Sequence, residues 1–362
     1  MLEEAVLDIV VVAAALIASP TSSYTLRRLS TAMPSTRLLM QLLALVATVS
    51  AYASPCDTPP LFLTRAALQF LSVVATASAF SATKAPTTIT EFGVTSSDGY
   101  RLSVLEASGA APRSRAVLLL HGRTWSSEPV WRETGVLGAL GDRDHYAMDF
   151  RGFGRTPERG ADSLLRPSTC ADDVRTVVAA LRSRGYDAVD VVGWSYGALV
   201  AQLVADVADR LVLYASVWDE AGEYCSEFSK WTCDEFGCSA PNARGPQSLE
   251  NCLSDFTIPG SISEEKAMAF GLCALEADPI CVDWADLQEF EVDLAAITCP
   301  TLVVHGDRDP EAPVKEQRAL FAKLGAARKE FATIDTADHV AHVLDTSRDA
   351  WTKTVTAFLD SA

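Results

Sequence analysis

Positive charge is scarce in this chain: 30 Lys and Arg stand against 47 Asp and Glu, a net charge of −17 at neutral pH. No Lys/Arg-rich run occurs beyond the first forty residues. Phosphate binding needs a basic face, so no nucleic-acid partner is expected, and substrates carrying carboxylates or phosphates are disfavoured. Histidine is scarcer still, with five in 362 residues. There is no Cys-x-x-Cys pair and no Cys/His cluster, which argues against a zinc site, and nothing in the sequence calls for any cofactor. Long apolar runs are missing too. The first, residues 2–18, is interrupted by Glu3, Glu4 and Asp8 and is too short between those charges to cross a bilayer, so no stable membrane span is expected in the mature protein.

What the first eighty residues do contain is targeting chemistry. Arg37 precedes the apolar run 38–49, and Ala51-Tyr52-Ala53 follows with the small-x-small form of a signal-peptidase site. Read from Met33, this is a complete secretory signal, so residues 1–53 are assigned to targeting and the secretory pathway is the expected destination. Residues 54–88 are a linker or a second targeting segment, because Arg65 precedes a moderately apolar stretch ending in Ala77-Ser78-Ala79. Residues 21–37 are rich in Ser, Thr and Arg and lack acids, which makes a plastid or mitochondrion the alternative destination.

The negative charge is concentrated. Between Trp218 and Ala296 seventeen acids face only Lys230, Arg244 and Lys266. The same region holds six of the nine cysteines, Cys225, Cys233, Cys238, Cys252, Cys273 and Cys281; Cys56, Cys170 and Cys299 lie elsewhere. In an exported protein these six would form disulfides, and in a reduced one they are small apolar residues.

After the leader, residues 89–95 and 101–106 read as strands joined by the turn Ser97-Asp98-Gly99. The continuous apolar run 116–120 reads as a strand buried on both faces, ending in His121-Gly122. A helix is expected over 129–140 and a strand over 145–150. The next helix has Ser168 as its N-cap and carries Val174, Val177, Val178 and Leu181 at helical spacing to Gly185. A strand over 188–192, a helix over 197–208 and a strand over 210–215 follow. Alternation stops over 218–296, where helical pieces at 264–275 and 280–290 mix with turns at 241–246 and 259–260. It resumes with strands at 301–306 and 329–334 and helices at 314–324 and 348–359. This is an α/β pattern: a mostly parallel sheet with helices on both faces, formed by 89–217 and 297–362, with 218–296 inserted as an acidic, Cys-rich cap over the strand ends.

The stretch Gly193-Trp194-Ser195-Tyr196-Gly197 lies between a strand and a helix. A G-x-S-x-G turn bends so sharply that a Cβ at either glycine would crowd the neighbouring helix or strand, and the bend lifts the serine hydroxyl out of the sheet. A serine needs a base to become a nucleophile, and the base needs an acid to fix its tautomer. Gly306-Asp307-Arg308-Asp309-Pro310 offers two carboxylates just past a strand end, and His339 and His342 follow the last strand.

With its elbow at Ser195, the strand-end His121-Gly122, the turn from Asp149 to Gly154, the acid turn from Gly306 to Pro310 and Asp338-His339, the chain resembles an α/β-hydrolase with a cap domain. The matching features span residues 89–360, about three quarters of the chain. The resemblance implies the α/β-hydrolase fold, with an eight-stranded-type sheet and a helical cap, and a triad of Ser195, Asp309 and His339, with Asp307 as the rival acid and His342 as a packed residue. It assigns the oxyanion-hole amides to Arg123 and Tyr196, and it places Trp125 and Trp194 beside the substrate pocket. His121, Asp149 and Arg151 are read as structural residues of the neighbouring turns. The family usually has glycine before the histidine, where this chain has Asp338. The implied activity is hydrolysis of a small-molecule carboxylic ester or similar acyl compound. The acidic cap raises an aminopeptidase of the proline-iminopeptidase type as an alternative, and a non-catalytic binding module of the same fold is a third reading. A serine at the elbow argues against haloalkane dehalogenases and epoxide hydrolases, which need aspartate there.

Overall fold

A computed structural model of the protein describes residues 89–107, 114–123, 125–156, 166–216, 244–278, 280–282 and 292–361. All lie in one unit, Phe80–Ala362. The targeting segments, Cys56, Cys225, Cys233, Cys238 and much of the acidic insertion lie outside the described residues. Among the described residues no helix is long and apolar enough to cross a membrane.

Eight strands form one sheet: β1 (Ile89–Thr95), β2 (Arg101–Ala107), β3 (Arg115–Leu120), β4 (Asp144–Met148), β5 (Ala188–Trp194), β6 (Leu211–Tyr214), β9 (Thr301–Gly306) and β10 (Lys329–Ile334), in the order β1-β2-β4-β3-β5-β6-β9-β10. β2 pairs antiparallel with both β1 and β4, and every later neighbour is parallel. The expected sheet is therefore present. Its central strands are apolar on both sides because both faces are covered. Ala116, Leu118 and Leu120 of β3 enter one core with Val174 and Val177 of α1 (Pro167–Ser183) and Leu199 of α2 (Tyr196–Leu203). Val117 and Leu119 enter the opposite core with Trp351 and Val355 of α6 (Arg348–Asp360). α5 (Val314–Lys323) sends Leu320 into the first core.

Five local expectations are corrected. The helix expected over 129–140 is a single π turn, Glu128–Arg132, followed by turns, because Gly135, Gly138 and Gly141 take φ of 76°, 102° and 80° and end helical winding. Ser168 lies inside the first turn of α1 rather than capping it; Pro167 opens that helix, its fixed φ suiting the first helical position, and Arg166 precedes it without a side-chain cap. The helix after Ser195 stops at Leu203 rather than continuing to 208. Within the insertion, Ile280–Val282 is strand β8, not the start of a helix, and it pairs antiparallel with β7 (Arg244–Pro246), where a turn was expected. Between these strands run α3 (Leu249–Leu253) and α4 (Glu264–Ala277), the latter as expected and capped by the Ser263 hydroxyl.

The disulfide expectation finds no support among the described residues. Cys170 and Cys299 carry free thiols, and no disulfide joins two described residues.

Candidate active site

Ser195 sits at φ 53°, ψ −118°, a conformation that costs a non-glycine residue about 1–3 kcal/mol. The surrounding hydrogen bonds impose it. The Ser195 N–H donates to Tyr214 O of β6 at 2.9 Å, while Ser195 O accepts from Ala198 N at 2.9 Å and Leu199 N at 3.1 Å, starting α2. A Cβ on Gly193 would overlap the Gly197 carbonyl, and one on Gly197 would overlap the carbonyls of Leu120 and His121. The two glycines thus let α2 press directly onto the ends of β5 and β3, which is why the serine stands at the tip.

The acid turn leaves β9 two strands away. Asp309 Oδ2 and Oδ1 lie 3.0 and 3.1 Å from His339 Nδ1, and Oδ1 also accepts from the N–H groups of Glu311 and Ala312, both at 2.9 Å. The two candidate acids are separated by geometry. Asp307 Oδ1 accepts from Ala337 N at 3.0 Å and braces the histidine loop, whereas Asp309 touches the imidazole itself. Gly306 is essential to this meeting, since a Cβ there would collide with the carbonyls of Ala337 and Asp338.

Electrostatics follow from this packing. Burial pushes the Asp309 carboxyl up, but the His339 charge, its hydrogen bond and the two N–H donors outweigh burial and hold it below the usual carboxylate range. Burial pushes the His339 imidazole down, yet the charges of Asp309 and Glu311, the Asp309 hydrogen bond and the charge of Asp255 together raise it to about 10. Glu311 Oε2 lies 3.6 Å from His339 Nε2. Among the described residues no hydrogen bond joins Ser195 Oγ to His339, and the two are linked through Trp194. Its indole N–H donates to His339 O at 2.9 Å, and its ring lies 5.6 Å from the imidazole.

Other residues named in the sequence pack near Ser195, Asp309 and His339. His121 donates from Nδ1 to Gly122 O at 2.7 Å and accepts at Nε2 from Phe150 N at 3.0 Å, which fixes a neutral tautomer, and burial lowers its pKa to about 4. It therefore holds the turn carrying Gly122 and Arg123. A Cβ on Gly122 would lie 3.3 Å from Ser195 Cβ, so the backbone leading to Arg123 passes beside the serine. Tyr196 is the first residue of α2, where main-chain N–H groups point outward from the helix end. Its side chain is core, with the ring 5.8 Å from Phe150 and edge-on. Asp149 accepts from Ser127 N at 2.7 Å and Arg155 N at 2.9 Å, and Arg151 is bound by buried Asp173 and by Asp98, as turn-stabilising residues would be. His342 is fully buried, its ring 4.8 Å from both Trp131 and Trp194, and burial keeps it neutral. Trp125 donates from Nε1 to Asp255 Oδ2 at 3.1 Å and packs 5.4 Å from Phe270 of α4.

Two neighbours of the imidazole were not singled out in the sequence, Glu311 and Asp255. Glu311 follows the acid turn by one residue, a spacing that could have flagged it; Asp255 is one of seventeen acids in the insertion, and nothing local marks it. No group of His, Cys, Asp and Glu that could hold a metal ion occurs among the described residues. The arrangement is a strained serine, an imidazole paired with a buried carboxylate, and a helix N-terminus, all at the carboxyl ends of parallel strands.

Residues 117–352 match the model of the alpha/beta hydrolase family. No curated protein matches the chain in sequence. Among solved structures, the chain is similar to a thermophilic esterase from Thermogutta terrifontis, at 20% identity and a TM-score of 0.57, covering 75% of this chain and 98% of that one. An alpha/beta hydrolase fold protein from Chitinophaga pinensis is 17% identical with a TM-score of 0.57, covering 76% and 99%. An esterase of M. tuberculosis is 19% identical with a TM-score of 0.56, covering 81% and 99%.

Proposed function

The chain belongs to the alpha/beta hydrolase family, and on that premise we propose that it is a serine hydrolase cleaving a carboxylic ester or similar acyl bond through Ser195, His339 and Asp309. The observation that carries this reading is the contact of His339 Nδ1 with the buried Asp309 carboxylate at 3.0 Å, on the loop that Trp194 ties to the serine turn. His339 Nε2, in its neutral form, takes the proton from Ser195 Oγ as the oxygen attacks the substrate carbonyl. Asp309 holds the tautomer and stabilises the imidazolium. The main-chain N–H groups of Tyr196 and Arg123 receive the oxyanion. His339 returns the proton to the departing alcohol, and water, deprotonated by the same imidazole, then releases the acyl group and regenerates Ser195. Residues 218–296 serve as a cap, with Trp125 and Trp194 lining the pocket beneath it.

A panel of neutral p-nitrophenyl esters assayed with the mature protein and with Ser195→Ala tests this. Hydrolysis should vanish in the variant; activity equal to the parent would refute the triad. Failure of Ser195 to form an adduct with a fluorophosphonate probe would favour a binding module of the same fold.

A second reading has its own support. Asp255 and Glu311 both raise the pKa of His339, so two carboxylates stand by the base where a substrate ammonium group could be received. An aminopeptidase would prefer aminoacyl-arylamides over neutral esters in that same panel. Export through the secretory pathway is proposed from the signal beginning at Met33, and sequencing of the mature N-terminus tests it, an intact Met1 refuting cleavage.

A further inference from the structure

The residue that departs from the family pattern, Asp338, is fully buried and uses both oxygens. Oδ1 accepts from Val340 N at 3.1 Å within the histidine loop. Oδ2 reaches out of that loop to the inserted segment, accepting from Thr257 N at 3.0 Å and from Thr257 Oγ1 at 3.1 Å. A glycine there could make neither bond. Two residues before Thr257 stands Asp255, whose Oδ2 takes the Trp125 indole N–H at 3.1 Å. Trp125 in turn belongs to the loop after β3 that carries Arg123. One chain of contacts therefore runs from the histidine loop through Asp338, Thr257 and Asp255 to Trp125.

We propose that Asp338 is a positioning residue: by binding Thr257 it fixes the inserted segment to the histidine loop and sets the place of the Asp255 carboxylate beside His339. Asp338 acts on the base at one remove. It never meets the substrate. The charged and titratable groups that act on the His339 imidazole are Asp309 and Glu311 from the turn after β9, Asp255 from the segment after α3, and the buried His342 on its own loop; the Trp194 ring packs against it, and the Tyr214 hydroxyl donates to His339 O at 2.9 Å. Burial and the Glu311 charge push the Asp255 carboxyl up to about 7, with His339 drawing it the other way, so displacement of Asp255 removes a negative neighbour from the base.

A second tie between the same two segments supplies a control. Lys266 Nζ pairs with Asp345 at 2.5 Å, and Thr346 N donates to Ser261 O at 3.2 Å, but neither contact adjoins Asp255. If the segment only needed to be held down, breaking either tie should act alike.

The inference rests on the serine-hydrolase reading for its kinetic readout, so the experiment separates the two. The rate of fluorophosphonate labelling at Ser195 is measured against pH for the parent, Thr257→Val, Thr257→Ser, Asp338→Asn and Lys266→Met, with thermal melting recorded for each. Thr257→Val keeps every charge. It should lower the high-pH plateau about 10-fold, the worth of a buried hydrogen bond, and move the acid limb to lower pH by about half a unit. Thr257→Ser should restore both. Asp338→Asn should do as Thr257→Val does or more, and the double variant should be no worse than Asp338→Asn alone. Lys266→Met should leave the limb in place. The positioning role is overturned if Thr257→Val and Asp338→Asn scale the whole profile without moving the limb, or change nothing. If the parent takes no label at Ser195, the hydrolase reading fails instead. The clamp is then read from the His339 imidazole NMR titration, where an unmoved midpoint in Thr257→Val overturns it and a lowered midpoint upholds it.

Discussion

Glu311 Oε2 lies 3.6 Å from Nε2 of His339, across the ring from Asp309, which holds Nδ1 at 3.0 Å. The imidazole is thus flanked by carboxylates on both nitrogens, and the one that must receive the serine proton faces a negative charge. This favours the imidazolium, in line with a pKa raised to about 10.

Glu311→Gln should therefore move the acid limb of kcat/KM to lower pH and raise kcat/KM at pH 7 by about 2- to 10-fold, the effect of removing one nearby charge. The Glu311 side chain is 42% exposed, so added salt should shift the parent's limb in the same direction and the variant's less. A pH-rate series at low and high ionic strength measures both; a limb that stays fixed in Glu311→Gln contradicts the assignment. Stability carries the opposite sign. A histidine with a raised folded pKa stabilises the fold fully below its unfolded value near 6.5, and that contribution is lost as pH rises through about 10.

The two aspartates of the acid turn should separate cleanly. In Asp309→Asn the amide oxygen is held by the N–H groups of Glu311 and Ala312, which turns the NH2 group towards His339 Nδ1 and selects the wrong tautomer, and kcat should fall by about 10³- to 10⁴-fold. Asp307→Asn leaves an amide oxygen able to accept from Ala337 N, so a loss of less than about 10-fold is expected. Steady-state kinetics on one ester suffice, and equal losses would remove the basis for choosing Asp309.

That choice also shows how far the sequence could be read. The elbow and the strand ends were legible because each depends on local chemistry: glycines where backbones nearly touch, and apolar runs where both sheet faces are covered; the choice of His339 over His342 came from the family resemblance alone. Asp307 and Asp309 share one turn, and only the path of the chain from Gly306 decides which reaches the ring. Asp255 and Thr257 were illegible for a stronger reason, since their partners Trp125 and Asp338 lie 130 and 81 residues away in sequence. The misread helix over 129–140 has a local cause: its apolar periodicity is broken in the sequence, and three glycines with positive φ end the winding.

A buried ion pair provides a stability test independent of catalysis. Arg151 Nη2 donates to Asp173 Oδ1 at 2.7 Å, and the Asp173 side chain has no exposed surface. Arg151→Ala leaves that carboxylate without its cation, and urea denaturation should show a loss of about 3–5 kcal/mol at pH 7. Arg151→Ala/Asp173→Ala, which removes both charges, should recover much of it. A single variant no worse than the double one would show that the pair is not buried as described.

Asp278 carries the clearest linkage between pH and folding. It follows α4, is 3% exposed, and accepts from Gly154 N at 3.0 Å through Oδ1. Burial first, and the Asp149 charge second, raise its pKa to about 7, against the pull of the Gly154 N–H and the Ser126 hydroxyl. Its value in the unfolded chain is near 4. Between those two values the folded protein keeps a proton that the unfolded chain has released, so stability falls as pH rises through the window, and the whole of that loss is present above about 7. Asp278→Asn resembles the protonated acid and retains an oxygen for Gly154 N. It should therefore stabilise the protein at pH 8 by about 1–3 kcal/mol, somewhat less than the full pKa shift implies because water reaches such sites on fluctuation. At pH 4.5 the parent is itself protonated at this position and the difference should vanish. Urea titrations of parent and variant at the two pH values decide the matter: a gain of equal size at both would show that the carboxyl does not titrate between them.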